Sequence, residues 1–239
     1  MANRAIWQEE GVGKRTAVRG MFAEIAPTYD RLNSIMSMRL HHRWRQAAVK
    51  KLRLNAGDTA LDVCCGTGDF MSPLRTAVGS TGHVFGLDFC LPMLEIAGKK
   101  LDATQSVLSL GDACQLPIQD QAVDGVSVGW GIRNVPNIDD AHRELFRVLK
   151  PGGRFVSLDM ALPRNSFLKR VSQFISNKML PKLGAMFGKS DAYTYLPKST
   201  QTFMSREELA ESMRRAGFVD VGHQDLFFGN ICIHWGQRP

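Results

Sequence analysis

Gly66 and Gly68 stand one residue apart in the run Asp62-Val63-Cys64-Cys65-Gly66-Thr67-Gly68-Asp69, which closes an apolar stretch. Glycines where a strand turns into a helix let the backbone approach a ligand closely. The next apolar stretch ends in Asp88, an acid placed to accept hydrogen bonds from the two hydroxyls of a ribose. A third stretch ends in Gly111, Asp112 and Ala113, where the acid can take an adenine amino group and Cys114 and Leu116 can flank the ring. Together these residues predict a nucleoside cofactor. A dinucleotide fold would carry a third glycine three residues after the second, but Met71 stands there and acidic Asp69 directly follows Gly68. A pyrophosphate would meet that carboxylate, whereas S-adenosyl-L-methionine carries a sulfonium, an ammonium and no phosphate, so the charges favour a methyl donor. The cofactor-binding residues predicted from the turns are Asp62, Gly66, Gly68, Asp88, Asp112 and Ala113. Vicinal Cys64 and Cys65 are expected as small buried residues at a strand end.

Holding these turns side by side requires strands that alternate with helices. ALDVCC, HVFGLD, SVLSLGD, VDGVSVGW and RFVSLDMA are short apolar runs, each followed by a turn or an amphipathic segment. The pattern predicts an α/β fold of the Rossmann-like type, a mostly parallel seven-stranded sheet with helices on both faces. Asp139 and Asp140 open a helix that Lys150, Pro151 and Gly152 stop, and Ser205 with Glu208 forms a capping box for another that Gly217 closes. Two strands follow, around VDVGHQDLFF and ICIHWGQ. One domain over 1–239 is expected, with an N-terminal helical lid at 1–53, a cofactor-binding core at 54–161, an insert at 162–204 and a last helix and strands at 205–239.

The motifs resemble those of the ubiquinone and menaquinone biosynthesis C-methyltransferases over nearly the whole chain. Tyr29, Asp30, Asn33, Ser37, His41 and Trp44 fit that family's signature, and DVCCGTGD, GIRNVPN, RVLKPGG, YTYLPKS and HWGQRP match further. The resemblance implies transfer of a methyl group from S-adenosyl-L-methionine to a ring carbon of a prenylated quinol, and it implies cofactor contacts at Thr67, Asp88, Asp112 and Ala113. It leaves the naphthoquinol and benzoquinol precursors both open, with demethylmenaquinol preferred. Two departures stand out: the family's Glu at the end of the fifth strand is Asp159, one methylene shorter, and Gly129 replaces a small polar residue before Gly-Ile-Arg-Asn.

A quinol carbon becomes nucleophilic once a neighbouring hydroxyl, of pKa about 10, gives up its proton. Arg133 and Asn134, after the fourth strand, are predicted to stabilise that oxygen, although a salt bridge from Arg133 to a nearby acid is the alternative use of the same guanidinium. His41 is the candidate base by chemical type; its spacing to Trp44 fits packing on one helix face equally well. Tyr29, Asp30, Asn33 and Asp159 are predicted to line the substrate.

Composition narrows the partners. The 239 residues carry a net charge of +7, with 19 basic and 17 acidic groups in 1–159 against 11 and 6 in 160–239. Five cysteines without a Cys-x-x-Cys pair exclude a zinc finger or disulfide scaffold, and no metal site is expected. Arg164, Lys169, Arg170, Lys178, Lys182 and Lys189 are interrupted by no acid, and Phe167, Leu168, Val171, Phe174, Ile175, Met179, Leu180 and Leu183 recur at helical spacing, with Pro181 a kink or break. Such a stretch suits an anionic membrane surface. A nucleic-acid methyltransferase is disfavoured, because the basic stretch carries aliphatic residues more than base-stacking aromatics. The expected location is cytoplasmic, without a signal peptide, and peripheral on the inner face of the membrane. A homo-oligomer or an assembly of quinone-biosynthesis enzymes is the expected protein partner.

Overall fold

The computed structural model describes residue 6 and residues 11–102, 106–186 and 190–239, for the backbone alone over 179–186 and 190–194. Seven strands form one sheet: β1 (Thr59–Val63), β2 (His83–Asp88), β3 (Ser106–Leu110), β4 (Val123–Gly129), β5 (Leu149–Met160), β6 (Val219–Leu226) and β7 (Ile231–Gln237). Their order is β3-β2-β1-β4-β5-β7-β6; the first five run parallel, and β7 lies antiparallel to both β5 and β6. The chain reverses direction across the sheet between β1 and β4, so loops from both halves open at their carboxyl ends and leave a crevice there.

Central strands are apolar on both sides because helices cover both faces. Leu61, Val63, Val126, Val128 and Phe155 pack into one core, which is completed by α6 (Ile138–Val148) and α9 (Arg206–Arg215). Their neighbours Ala60, Val156 and Leu158 face the opposite core, under α3 (Leu40–Leu52) and α4 (Met71–Val78). Edge strand β3 has no buried residue, as its solvated side permits. Asn137 caps α6 by accepting from the Asp140 amide, and Ser205 with Glu208 forms the expected capping box on α9.

The amino-terminal segment forms α1 (Gly11–Ile25), α2 (Tyr29–Met36) and α3, and α5 (Leu91–Lys100) follows β2. On α3 the buried positions are His41, Arg45, Ala48, Val49 and Leu52, a stripe at helical spacing that turns a histidine and an arginine toward the sheet's carboxyl end. The insert folds into α7 (Ser166–Met186), which continues past Pro181, and α8 (Ser190–Gln201). Phe167, Val171, Phe174 and Ile175 on α7 are exposed, so this face does not cover the sheet. Lys189 and the side chains of Met179, Leu180, Lys182 and Leu183 lie outside the described residues.

His142, fully buried in α6, has its Nδ1 2.7 Å from Ser212 Oγ, and burial lowers its pKa to about 4. Between pH 6.5 and about 4 the unfolded chain holds a proton on this ring that the folded chain does not, so the contribution to stability falls as pH falls. In urea titrations from pH 7.5 to 4, the parent should lose stability relative to His142→Gln below pH 6.5, by at most about 1.4 kcal/mol per pH unit.

Candidate functional site

Two cavities open at the carboxyl ends of β1 to β5. The first lies over the turns after β1, β2 and β3 and is lined by Gly66, Asp88, Phe89, Asp112, Ala113 and Asn134, with Arg15 and Phe22 of α1 above it. The second and larger one is lined by Tyr29, Asn33, His41, Arg45, Arg133 and Tyr195 among apolar residues from α1, α3, α7 and the segment before β7. Phe22, Tyr29 and Trp130 line both, so the two spaces meet at three aromatic side chains.

The first cavity matches a nucleoside. Asp88 accepts from the Gly66 amide on Oδ2 and from the Cys90 amide on Oδ1, both at 2.8 Å, and from the Phe89 amide, which leaves about one of a carboxylate's four lone-pair sites for a ribose hydroxyl. Burial raises its pKa. Gly66 sits at φ +55°, and a Cβ there would meet no protein atom within 4 Å, so the side that faces the cavity is kept clear by residue type. Asp112 Oδ1 accepts from the Cys114 amide at 2.9 Å, and its Oδ2 is 2.7 Å from Arg15 Nη2. Lys14 donates to the carbonyls of Arg133 and Val135 at 3.3 and 3.0 Å, fastening the start of α1 across this opening.

The other predicted cofactor residues are used differently. Asp62 is buried and accepts at 2.6 Å from Ser127 Oγ on the neighbouring strand; burial raises its pKa to about 7, and it lines neither cavity. Thr67 donates to Asp30 Oδ1 at 2.5 Å, and Gly68, at φ +82°, makes room for Leu101, whose Cδ1 would lie 2.8 Å from an added Cβ. Asp69 does not face the cofactor cavity. Lys100 Nζ donates to it at 2.7 Å and Arg45 Nη2 lies 3.2 Å away; burial raises its pKa, but these cations more than offset that and hold it low. The inference from Asp69 to a cationic ligand therefore fails at this residue, and the acids that line the cavity are Asp88 and Asp112. Cys64 and Cys65 have thiol pKa values raised well above the usual range by burial, which suits packing and not redox chemistry.

In the second cavity the sequence reading also shifts. Arg133 lines it but is bonded to Asp159, and its Nη1 also donates to the Trp130 carbonyl at 3.1 Å while Nε has no partner among the described residues. Asp159 is buried behind this guanidinium, where burial raises its pKa against the pull of Arg133, and it lines neither cavity; it positions Arg133. Asp30 likewise faces away, joined to Thr67 and, at 2.6 Å, to Lys100. Asn134 belongs to the first cavity, where its amide donates to the Trp130 carbonyl at 3.0 Å and accepts from Tyr195 at 2.8 Å. Tyr29 and Asn33 line the second cavity, and burial raises the pKa of Tyr29.

His41 is a poor proton acceptor. Arg45 Nη1 bonds its Nδ1, which must then accept, so Nε2 carries the hydrogen that faces Ser34 Oγ at 3.2 Å. Burial, then the adjacent Arg45 charge, lower its pKa to about 4. Sequence reasoning missed Arg45, Trp130 and Tyr195. The only signal for Arg45 was its position four residues after His41, on the same helix face; Trp130, a tryptophan at φ +54°, gives none in sequence.

The model of the ubiE/COQ5 methyltransferase family matches residues 10–238. The chain belongs to the ubiE/COQ5 methyltransferase family. It is an S-adenosyl-L-methionine-dependent methyltransferase with the class I, Rossmann-like fold. It is 38% identical to the demethylmenaquinone methyltransferase of Geobacillus sp. (strain WCH70), over 94% of this chain and 98% of that protein. The proteins of the same name from Desulfitobacterium hafniense (strain Y51) and Staphylococcus aureus (strain Newman) are 39% and 40% identical, over 96% and 92% of this chain and 92% of each relative. Among solved structures, a methyltransferase from Thermotoga maritima superposes with a TM-score of 0.66 at 22% identity, over 92% of this chain and 99% of that one. One from Aquifex aeolicus gives 0.60 at 19%, over 81% and 88%.

Replacing Asp88 by Ala should weaken S-adenosyl-L-methionine binding by roughly 1.5–3 kcal/mol, the worth of hydrogen bonds to a charged acceptor. Calorimetric titration measures the loss, and a thermal melt alongside it shows that the variant is folded.

Proposed function

We propose that this methyltransferase acts on a ring carbon of a prenylated naphthoquinol, converting demethylmenaquinol to menaquinol. One observation carries the reading: among the described residues the second cavity is lined by two arginines and no acid, while the acids Asp69 and Asp159 that pair with them stand behind. Such a space favours an oxygen that gains negative charge, and its apolar walls suit an aromatic ring with a hydrocarbon tail. The names of the relatives fit the same substrate.

Asp88, Gly66, Asp112 and Ala113 would hold the cofactor, which when bound supplies a methyl carbon on a sulfonium. That methyl would pass to the ring carbon, with the C–S electron pair left on sulfur. Arg133, oriented by Asp159, would stabilise the neighbouring quinol oxygen as its proton passes to solvent; after methylation the ring hydrogen leaves as a proton and the oxygen is reprotonated, so aromaticity is restored with one proton released overall. His41 holds Arg45 and takes no proton. Phe22, Tyr29 and Trp130 exclude water where donor and ring meet, which helps a reaction whose opposite charges cancel along its course.

The tail directs the enzyme to a bilayer. Ser172, Ile175, Phe227 and Asn230 line the second cavity, and next to them Phe174 of α7 and Phe228 are exposed. Phe227 and Phe228 hold left-handed backbone conformations, at φ +45° and +57°, that cost energy in a bulky residue. With Lys169, Arg170 and Lys178 exposed nearby in sequence, this rim suits the interface of an anionic membrane. No helix among the described residues is long and apolar enough to cross one.

Single-turnover kinetics test the first part. The pair Arg133→Gln with Asp159→Asn, which leaves no charge buried alone, should lower the methyl-transfer rate about 100-fold with donor affinity little changed; a loss confined to donor affinity would count against Arg133. Changing Lys169, Arg170 and Lys178 to Glu should weaken binding to anionic vesicles by roughly 1 kcal/mol per charge near the surface, in a salt-sensitive way. Methylation of a short-chain, water-soluble quinol should continue unchanged, and equal vesicle binding by variant and parent would rule the membrane contact out.

A further inference from the structure

Arg45 keeps a charge where burial is expensive, and its hydrogen-bond donors are not all used within the protein as described. Its side chain is 5% exposed and lines the second cavity. Of the guanidinium's five N–H donors, Nη1 serves the ring and the carbonyl of His41, Nε is shut off from the cavity surface and has no partner among the described residues, and Nη2 is met by the ion pair with Asp69 Oδ2 at 3.2 Å, which leaves it an N–H for a ligand. The group lies over the Trp130 ring, 4.7 Å from its centroid, and 5.8 Å from that of Phe70. The charged and titratable groups that face it are Asp69 after β1, Asp62 in β1, Tyr29 and Asp30 of α2, and His41 on its own helix. An apolar side chain would fill this stack without desolvating a charge, so packing alone does not account for an arginine.

We propose that Arg45 is a substrate contact: it binds the second oxygen of a 1,4-dioxygenated ring whose first oxygen lies against Arg133. The proposal rests on the quinol reading of the cavity. The two arginines enter from different elements, Arg45 from α3 and Arg133 from the loop after β4, and Trp130 separates them, its ring beneath Arg45 and its carbonyl accepting from Arg133. Tyr29, between the cavities, feels both charges. A ring with two oxygens satisfies both guanidinium groups. A ring with one leaves a buried donor unpaired, and a site built around hydrogen bonds rejects an analogue that omits one.

The test compares a short-chain demethylated naphthoquinol with the matching naphthol that keeps only the oxygen next to the reacting carbon, using the parent, Arg45→Gln and Arg45→Lys. The parent should prefer the quinol in kcat/KM. Arg45→Gln should lose roughly 10- to 100-fold on the quinol and far less on the naphthol, Arg45→Lys should recover part of the loss, and donor affinity by calorimetry should hold in both. Equal losses on the two substrates, or a fall in donor affinity that accounts for the loss, would make Arg45 a structural residue and overturn the proposal. Should Arg45→Gln not fold, Arg45→Lys decides by the same comparison, with a selective loss on the quinol supporting the contact. A parent that methylates the naphthol but not the quinol refutes the quinol reading itself, and the proposal with it.

Discussion

Asp69 is the joint on which the site closes. One carboxylate, largely withdrawn from water, accepts from Lys100 of α5 and faces Arg45 of α3, while Lys100 also reaches Asp30 of α2, which in turn accepts from Thr67, two residues before Asp69. Three helices are thereby tied to the turn after β1 that forms the floor of the cofactor cavity. Partly exposed ion pairs are individually weak. Here they share atoms, so fixing one side chain orders the next, and the N-terminal helices are held over the crevice of the sheet. Were Asp69 turned toward the cofactor instead, α3 would lose its ion pair to this turn, while α2 would keep its bonds through Asp30.

The same joint sorts charge. With Asp69 and Asp159 withdrawn behind their arginines, positive groups face the second cavity, whereas Asp88 and Asp112 face the first. On the proposed reading, a cationic donor and a ring that becomes anionic would each be drawn to their own side of Phe22, Tyr29 and Trp130. Buried pairs like Arg133 with Asp159 gain little stability after desolvation. Their use here is orientation: a guanidinium that enters the cavity already fixed loses no reorganisation energy when an oxygen charges up against it.

Most of the sheet was legible in the sequence because parallel strands covered on both faces must be apolar runs, and turns that hold a nucleoside need glycine and acid at strand ends. Gly66, Asp88, Asp112 and Ala113 followed from that logic and line the first cavity. Thr67 and Gly68, one and two residues further along the same turn, do not, because a tight turn points successive residues in different directions. His41 was singled out by residue type, yet its protonation is decided by Arg45, whose bond to Nδ1 occupies the lone pair a base would need.

The sequence by itself determined the order of strands and helices, the nucleoside turns and the family, since each rests on local periodicity or on residues near one another in the chain. Tertiary structure decided which acids are spent as anchors and which face a ligand, because a carboxylate's role depends on the cations that distant elements bring beside it. Asp30, Asp69 and Asp159 look as available in sequence as Asp88 does. Lys100, Arg45 and Arg133, arriving from α5, α3 and the loop after β4, claim the first three and leave the fourth with room to accept, since among the described residues Asp88 is bonded by the backbone amides of Gly66, Phe89 and Cys90.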